Sequence, residues 1–248
     1  MQEIWDSHFH LASDGDLDFV DINGILCTLS ANECLSVIDV DRRFTTNVYL
    51  FLGAHPWYVE ELDVGKVKEM LRKYRDRIFG LGEIGLDKRR GPDMKVQLNI
   101  LEQLFSIASQ LDLSVNLHCV RAFSDMLSLI RDFSVPWIII HSFSGSLFYL
   151  EKFLAQENCF ISLSPFLLKK VDKLRELLYL IPLNRLLIET DYPYQCKDIR
   201  VWLDLMKLIA TIKNCSESDL LIQVRRNLLV AVGEYGASES NQSFTKWS

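Results

Sequence analysis

Eight short apolar segments recur along this chain, and stretches with helical periodicity separate nearly all of them. The segments fall at about Gln2–Asp6, Gly24–Leu29, Val48–Leu52, Ile78–Glu83, Leu113–His118, Trp137–His141, Cys159–Leu163 and Leu186–Asp191. Amphipathic stretches cover Glu33–Phe44, Val59–Arg75, Asp93–Leu111, Phe123–Phe133, Leu147–Ala155, Val171–Leu180, Ile199–Ile212 and Asp219–Val232. In the third of these, Leu98, Leu101, Leu104, Ala108 and Leu111 share one side of a 3.6-residue helix. Strand alternating with helix implies a parallel sheet, and eight such units close into a barrel. The 248 residues match the roughly 250 that such a barrel needs. The expected fold is therefore α/β, a single-domain (β/α)8 TIM barrel over residues 1–233, followed by a polar C-terminal tail, 234–248. An open doubly wound sheet for dinucleotides would want GxGxxG after its first strand, and none is there. One irregularity is expected between strands one and two, where only Leu11–Asn23 connects them. That segment is too short and polar for a covering helix.

Bulk properties narrow the setting. No apolar run approaches the ~20 residues that span a bilayer, so no membrane partner is expected. The N-terminus lacks the basic start and apolar stretch of a secretory signal, and the six cysteines form no CxxC pair, which favours a cytoplasmic protein with reduced thiols. Net charge is −6. A polyanionic substrate would then depend on bound cations and local basic groups, since the chain as a whole repels it.

The five histidines, His8, His10, His55, His118 and His141, all stand at the C-terminal ends of expected strands. In a barrel those ends converge on one mouth, the catalytic face of this architecture. In strand one, alternation puts Ile4, Asp6, His8 and His10 on one face and Trp5, Ser7 and Phe9 on the other. In strand five it groups Ser114, Asn116 and His118. With the apolar faces against the helices, the polar ones point inward and need partners, because unpaired buried groups are costly. Metal ions supply them. Taken singly, each residue has a structural alternative: the HxH pair as a hydrogen-bonded couple, His55 as a loop residue bonding backbone, Asp191 as a helix cap, Glu83 as an ion-pair partner. Five imidazoles and two carboxylates at one mouth favour a metal site.

The stretches Asp6-Ser7-His8-Phe9-His10, Gly53-Ala54-His55-Pro56-Trp57, Gly82-Glu83-Ile84-Gly85-Leu86-Asp87, His118-Cys119-Val120-Arg121, His141-Ser142-Phe143-Ser144-Gly145 and Glu189-Thr190-Asp191-Tyr192-Pro193-Tyr194 together resemble the TatD-type metal-dependent deoxyribonucleases, barrel members of the amidohydrolase-like group. The resemblance covers residues 6–194 in the family's order. It implies that His8, His10 and Asp191 hold one metal, that His118 and His141 hold another, and that Glu83 bridges them. His55 and Arg121 would then face substrate. The segments after His10 and after Tyr194 are shorter than is usual in the family.

Two cations about 3.5–4 Å apart can activate water and neutralise a phosphoryl group. Asp191 is the candidate proton acceptor and Glu83 the spacer, with Asp6 and Glu189 as candidates to orient imidazoles from behind. Imidazole-rich ligation suits Zn or Mn better than Mg, although the family is described as Mg-dependent. Basic loops at Lys88-Arg89-Arg90, Arg121 and Lys169-Lys170, with Trp57, Tyr58, Phe143, Phe166, Tyr192 and Tyr194, are candidates to hold DNA, single-stranded by preference. The expected activity is hydrolysis of DNA phosphodiesters by an exonuclease or 3′-end-processing enzyme. Two rivals are a hydrolase of a small phosphodiester, lactone or aminoacyl ester, and a non-catalytic interaction protein. Glu83 at the bridging position argues against amidohydrolase chemistry through a carbamylated lysine, and loss of ligands, the mark of the non-catalytic rival, is not observed.

Overall fold

Parallel pairing runs in chain order through one eight-stranded sheet. The strands are β1 (Ile4–Phe9), β2 (Ile22–Cys27), β3 (Val48–Ala54), β4 (Ile78–Asp87), β5 (Ser114–Val120), β6 (Ile138–Ile140), β7 (Cys159–Leu163) and β8 (Leu186–Ile188). The helices are α1 (Ala31–Val37), α2 (Val64–Lys73), α3 (Met94–Leu111), α4 (Phe123–Ile130), α5 (Leu147–Leu154), α6 (Val171–Leu180), α7 (Val201–Lys213) and α8 (Glu217–Ala231). This computed structural model describes residues 3–11, 22–38 and 47–234. The irregular connection between β1 and β2 lies largely outside the described residues, as does the polar tail beyond Glu234.

Closure of the barrel is carried by backbone bonds at its mouth. Asp191 N–H donates to the His8 carbonyl at 3.0 Å, and His10 N–H to the Tyr192 carbonyl at 2.8 Å. Behind this seam, α7 and α8 pack against both β1 and β8. Trp202 of α7, fully buried, donates its indole N–H to the Ile188 carbonyl at 3.1 Å. Asn227 of α8 bonds the Leu183 and Leu186 carbonyls, each at 2.7 Å. The last helix thus covers the wall of the first strand.

Several boundaries differ from expectation, for local reasons. β1 extends to Phe9, so His8 lies within the strand. β4 continues to Asp87 and β5 to Val120. β8 stops at Ile188, which leaves residues 189–191 in the turn beyond it. The helix expected over 59–75 is split into a 3-10 turn begun by Pro56 and α2, whose start is capped by Asp63 accepting from Lys66 N–H at 3.2 Å. Ser7, expected on the helix-facing side, instead bonds Ser162 Oγ at 2.7 Å and the Ile188 carbonyl at 3.2 Å. The register of β1 on β2 shifts between Asp6 and Phe9, and strict alternation fails across that shift. Among the described residues, no helix is long and apolar enough to cross a membrane.

Candidate metal centre and active-site cleft

Glu83 projects from β4 into the middle of the imidazoles. Its Oε1 lies 2.6 Å from His118 Nδ1, 2.9 Å from His141 Nε2 and 3.3 Å from His55 Nε2. Its Oε2 lies 3.4 Å from His8 Nε2 and 3.3 Å from His10 Nε2. Asp191 Oδ1 completes the first side, 3.8 Å from His8 Nε2 and 3.7 Å from His10 Nε2. A carboxylate offers about four lone-pair sites. Here five ring nitrogens crowd it, and two of them, on His8 and His10, face each other at 3.0 Å. Such a donor set is satisfied by cations between the groups, so the residues present fit a metal centre. The His8–His10–Asp191 and His8–Glu83–His141 groupings each converge as ligand sets would.

On His8, His118 and His141 the ring nitrogen turned away from the centre has a partner that fixes its orientation, whereas His10 Nδ1 is buried with none. His8 Nδ1 meets Asn116 Oδ1 at 3.2 Å, and Asn116 in turn donates to the Ser7 carbonyl at 3.1 Å. His141 Nδ1 meets Glu189 Oε1 at 3.3 Å. His118 Nε2 meets Asp87 Oδ2 at 3.4 Å, and the same oxygen accepts from the Trp57 indole at 2.7 Å. His55 differs from these. It also converges with Glu83 and His118, yet its Nδ1 accepts the Trp57 backbone N–H at 3.3 Å. A neutral imidazole that accepts on one nitrogen carries its proton on the other. His55 Nε2 is then a hydrogen-bond donor toward Glu83, not a free ligand.

Burial and charge act together on these groups. Burial alone would raise the Glu83 carboxyl, but His141, His55, His10 and His118 hold it well below the usual carboxylate range. Burial opposes protonation of His141, and Glu83 and Glu189 overcome it, pushing that imidazole well above its ordinary value. In His55 burial prevails and the shift is downward. Asp87, despite burial, is held at about 2 by His118, Trp57 and the Arg89 backbone. Burial raises Asp6 to about 8. Asp6 orients no imidazole: it accepts from Thr190 N–H at 3.0 Å, Thr190 Oγ1 at 2.5 Å and His8 N–H at 3.0 Å, pinning the two strands that flank the seam.

Three loop residues here adopt left-handed backbone, Arg121 at φ 54°, Ser142 at φ 45° and Asp191 at φ 50°. Such values are uncommon away from glycine and cluster where side chains must be aimed. Gly85 pairs with His118 across β4 and β5, and a Cβ there would lie 2.0 Å from the His118 carbonyl oxygen. Only glycine lets the strand that carries Glu83 approach the strand that carries His118 so closely.

Above the cluster opens a cleft of about 670 Å³, lined by Arg89, Arg121 and Lys169 and by Trp57, Tyr58, Phe166 and Tyr194. Lys88, a candidate substrate contact by sequence, turns instead to Asp125 of α4 at 2.6 Å, and its neighbour Arg89 faces the cleft. Arg90 stacks on Trp57 at 3.7 Å. Phe143 is buried in the core. Sequence reasoning missed Asp87, the back-side role of Asn116, and Gln195. Asp87 follows Glu83 by four residues and Asn116 precedes His118 by two on the same strand face; both spacings were visible.

Comparison with known proteins sets this geometry in a family. The description TatD related DNase fits residues 5–228. A 3'-5' ssDNA/RNA exonuclease TatD from Erwinia tasmaniensis is 30% identical over 185 residues, covering 70% of this chain and 69% of that protein. An uncharacterised metal-dependent hydrolase from Haemophilus influenzae is 28% identical over 209 residues, 77% of this chain and 82% of that one. The crystal structure of YjjV, a TatD homolog from Escherichia coli, has a TM-score of 0.81 at 20% identity, covering 92% of this chain and 97% of that chain. The matched span runs from β1 into α8 and takes in every residue of the cluster, and the chain belongs to the TatD related DNase family of metal-dependent hydrolases.

Proposed function

We propose that this hydrolase is an exonuclease that shortens single-stranded DNA from its 3′ end with the help of two divalent ions, Mg, Mn or Zn. His8, His10 and Asp191 would hold one ion and His118 and His141 the other, with Glu83 shared between them. The observation that carries this reading is the division of the Glu83 carboxylate, with His8 and His10 at Oε2 and His118 and His141 at Oε1. Divalent ions held there would bring the pKa of water toward neutrality and offset charge on the phosphoryl oxygens.

The remaining steps belong to the chain. Asp191 takes the proton of the attacking water on its carboxylate. Arg121 bonds the phosphate oxygens, and His55 Nε2–H turns to them from Glu83 when that carboxylate is given to the ions, with Arg89 and Lys169 drawing the strand into the cleft. Tyr194, 61% exposed, and Tyr58, 54% exposed, offer faces on which unpaired bases stack, worth about 1–3 kcal/mol each. That supports single-stranded substrate, as does the name of the Erwinia relative.

The test is degradation of end-labelled single- and double-stranded DNA with Mg²⁺, Mn²⁺ and Zn²⁺. Wild type is expected to shorten single strands from the 3′ end. Glu83→Ala and Asp191→Asn should each lose more than about 100-fold, beyond what outer partners of a metal site cost. Equal turnover by both variants and wild type would remove the mechanism. Turnover of a small ester with none on DNA would move the substrate elsewhere.

A further inference from the structure

Gln195 closes a directed ring of hydrogen bonds across three loops. Its Oε1 accepts from Ser164 Oγ at 2.8 Å, and its Nε2 donates to Ser142 Oγ at 2.7 Å. Ser142 Oγ and Ser164 Oγ are 2.8 Å apart. Since Ser164 spends its proton on Gln195 and Ser142 accepts from Gln195, the bond between the two hydroxyls runs from Ser142 to Ser164. Every member of the ring is then assigned, and the amide cannot turn over without placing its oxygen against the Asp191 carboxylate. The second Nε2 proton is left pointing at Asp191 Oδ2, 2.8 Å away. Asp191 Oδ1 is correspondingly the oxygen turned toward His8 and His10.

We infer that Gln195 is a positioning residue, whose amide, locked by Ser142 and Ser164, holds one oxygen of Asp191 and so fixes the plane in which the other faces the metal centre. The inference rests on the reading of Asp191 as a ligand and proton acceptor. The ring joins the turns after β6, β7 and β8, two of which hold a residue in left-handed backbone, so an exposed side chain governs the aim of a buried one. Ser164 itself does not line the cleft, and this makes it a remote handle on the same amide.

The experiment uses the full chain as wild type, Gln195→Leu, Ser164→Ala and the double variant. Mn²⁺ binding is followed by calorimetry, kcat and KM on an end-labelled oligonucleotide, and folding by thermal melts. Gln195→Leu is expected to weaken Mn²⁺ binding and lower kcat by about 10- to 100-fold, with KM and the melt near wild type. Ser164→Ala should give a smaller loss of the same kind. The double variant should match Gln195→Leu alone, because the serine acts only through the amide. Unchanged Mn²⁺ affinity and kcat in Gln195→Leu would overturn the inference, as would additive losses in the double variant. Wild type that binds Mn²⁺ but leaves DNA intact defeats the nuclease reading alone, since the Mn²⁺ titrations still judge Gln195. Wild type that neither binds Mn²⁺ nor cleaves defeats both.

Discussion

Asp87 shows how one carboxylate can govern a proposed ligand, His118, that it does not replace. It accepts from both the Trp57 indole and His118, and so decides which nitrogen of His118 is left for Glu83. Asp87→Asn keeps the shape but turns one oxygen into a donor, so either the Trp57 and His118 pair on Oδ2 or the Arg89 N–H on Oδ1 loses its acceptor, and the charge beside His118 is gone in both cases. A fall in kcat of about 10- to 100-fold is expected, with weaker Mn²⁺ binding. The native carboxyl is held at about 2, below its usual value, and so stays ionised above that pH. The ratio of wild-type to variant kcat should therefore be flat from about pH 5 upward; a ratio that changes tenfold across that range would count against this account. Cys119 lies in the wall of the same cleft, yet burial pushes its thiol up to about 12. Only the thiolate reacts, and below that pH its share rises tenfold per unit. Alkylation of native protein, read by peptide mass, should be negligible at neutral pH and climb steadily in alkali.

At the scale of elements, the barrel was legible because each strand and most helices carry their own period, and the His, Glu and Asp cluster because the motifs sit where strands end. Less legible were the joins. Strand β1 reads as ending at Asp6, since polar His8 and His10 break its apolar run. His8 is held in the sheet with a partner from a distant strand, Asn116, which no local period reports. Lys88 and Arg89 are adjacent and chemically alike, and only the packing of α4 against the β4 turn decides which faces the cleft. Gly85, by contrast, has a plain structural reason within its motif. Gly85→Ala should part β4 from β5 beside His118 and destabilise the fold by roughly 1–3 kcal/mol, measured by urea unfolding. Wild-type stability in that variant would show that the strands can yield.

Across the whole molecule, the proposed ligands come from β1 and the residue after it, β4, β5, the end of β6 and the turn after β8, so ions that need all of them would bind only the closed barrel. Saturation at 100-fold above the dissociation constant adds about 2.7 kcal/mol. For a chain of this size that is a rise in melting temperature of roughly 5–10 °C, reversed by a chelator. No rise in wild type with Mn²⁺, Zn²⁺ or Mg²⁺ would contradict the centre. The cover that α8 provides for β1 has its own effect during synthesis. An emerging chain carries the bare back of its opening strand until its final described helix has left the ribosome. A product cut before α8 would leave that wall bare, and it is not expected to assemble a reactive centre.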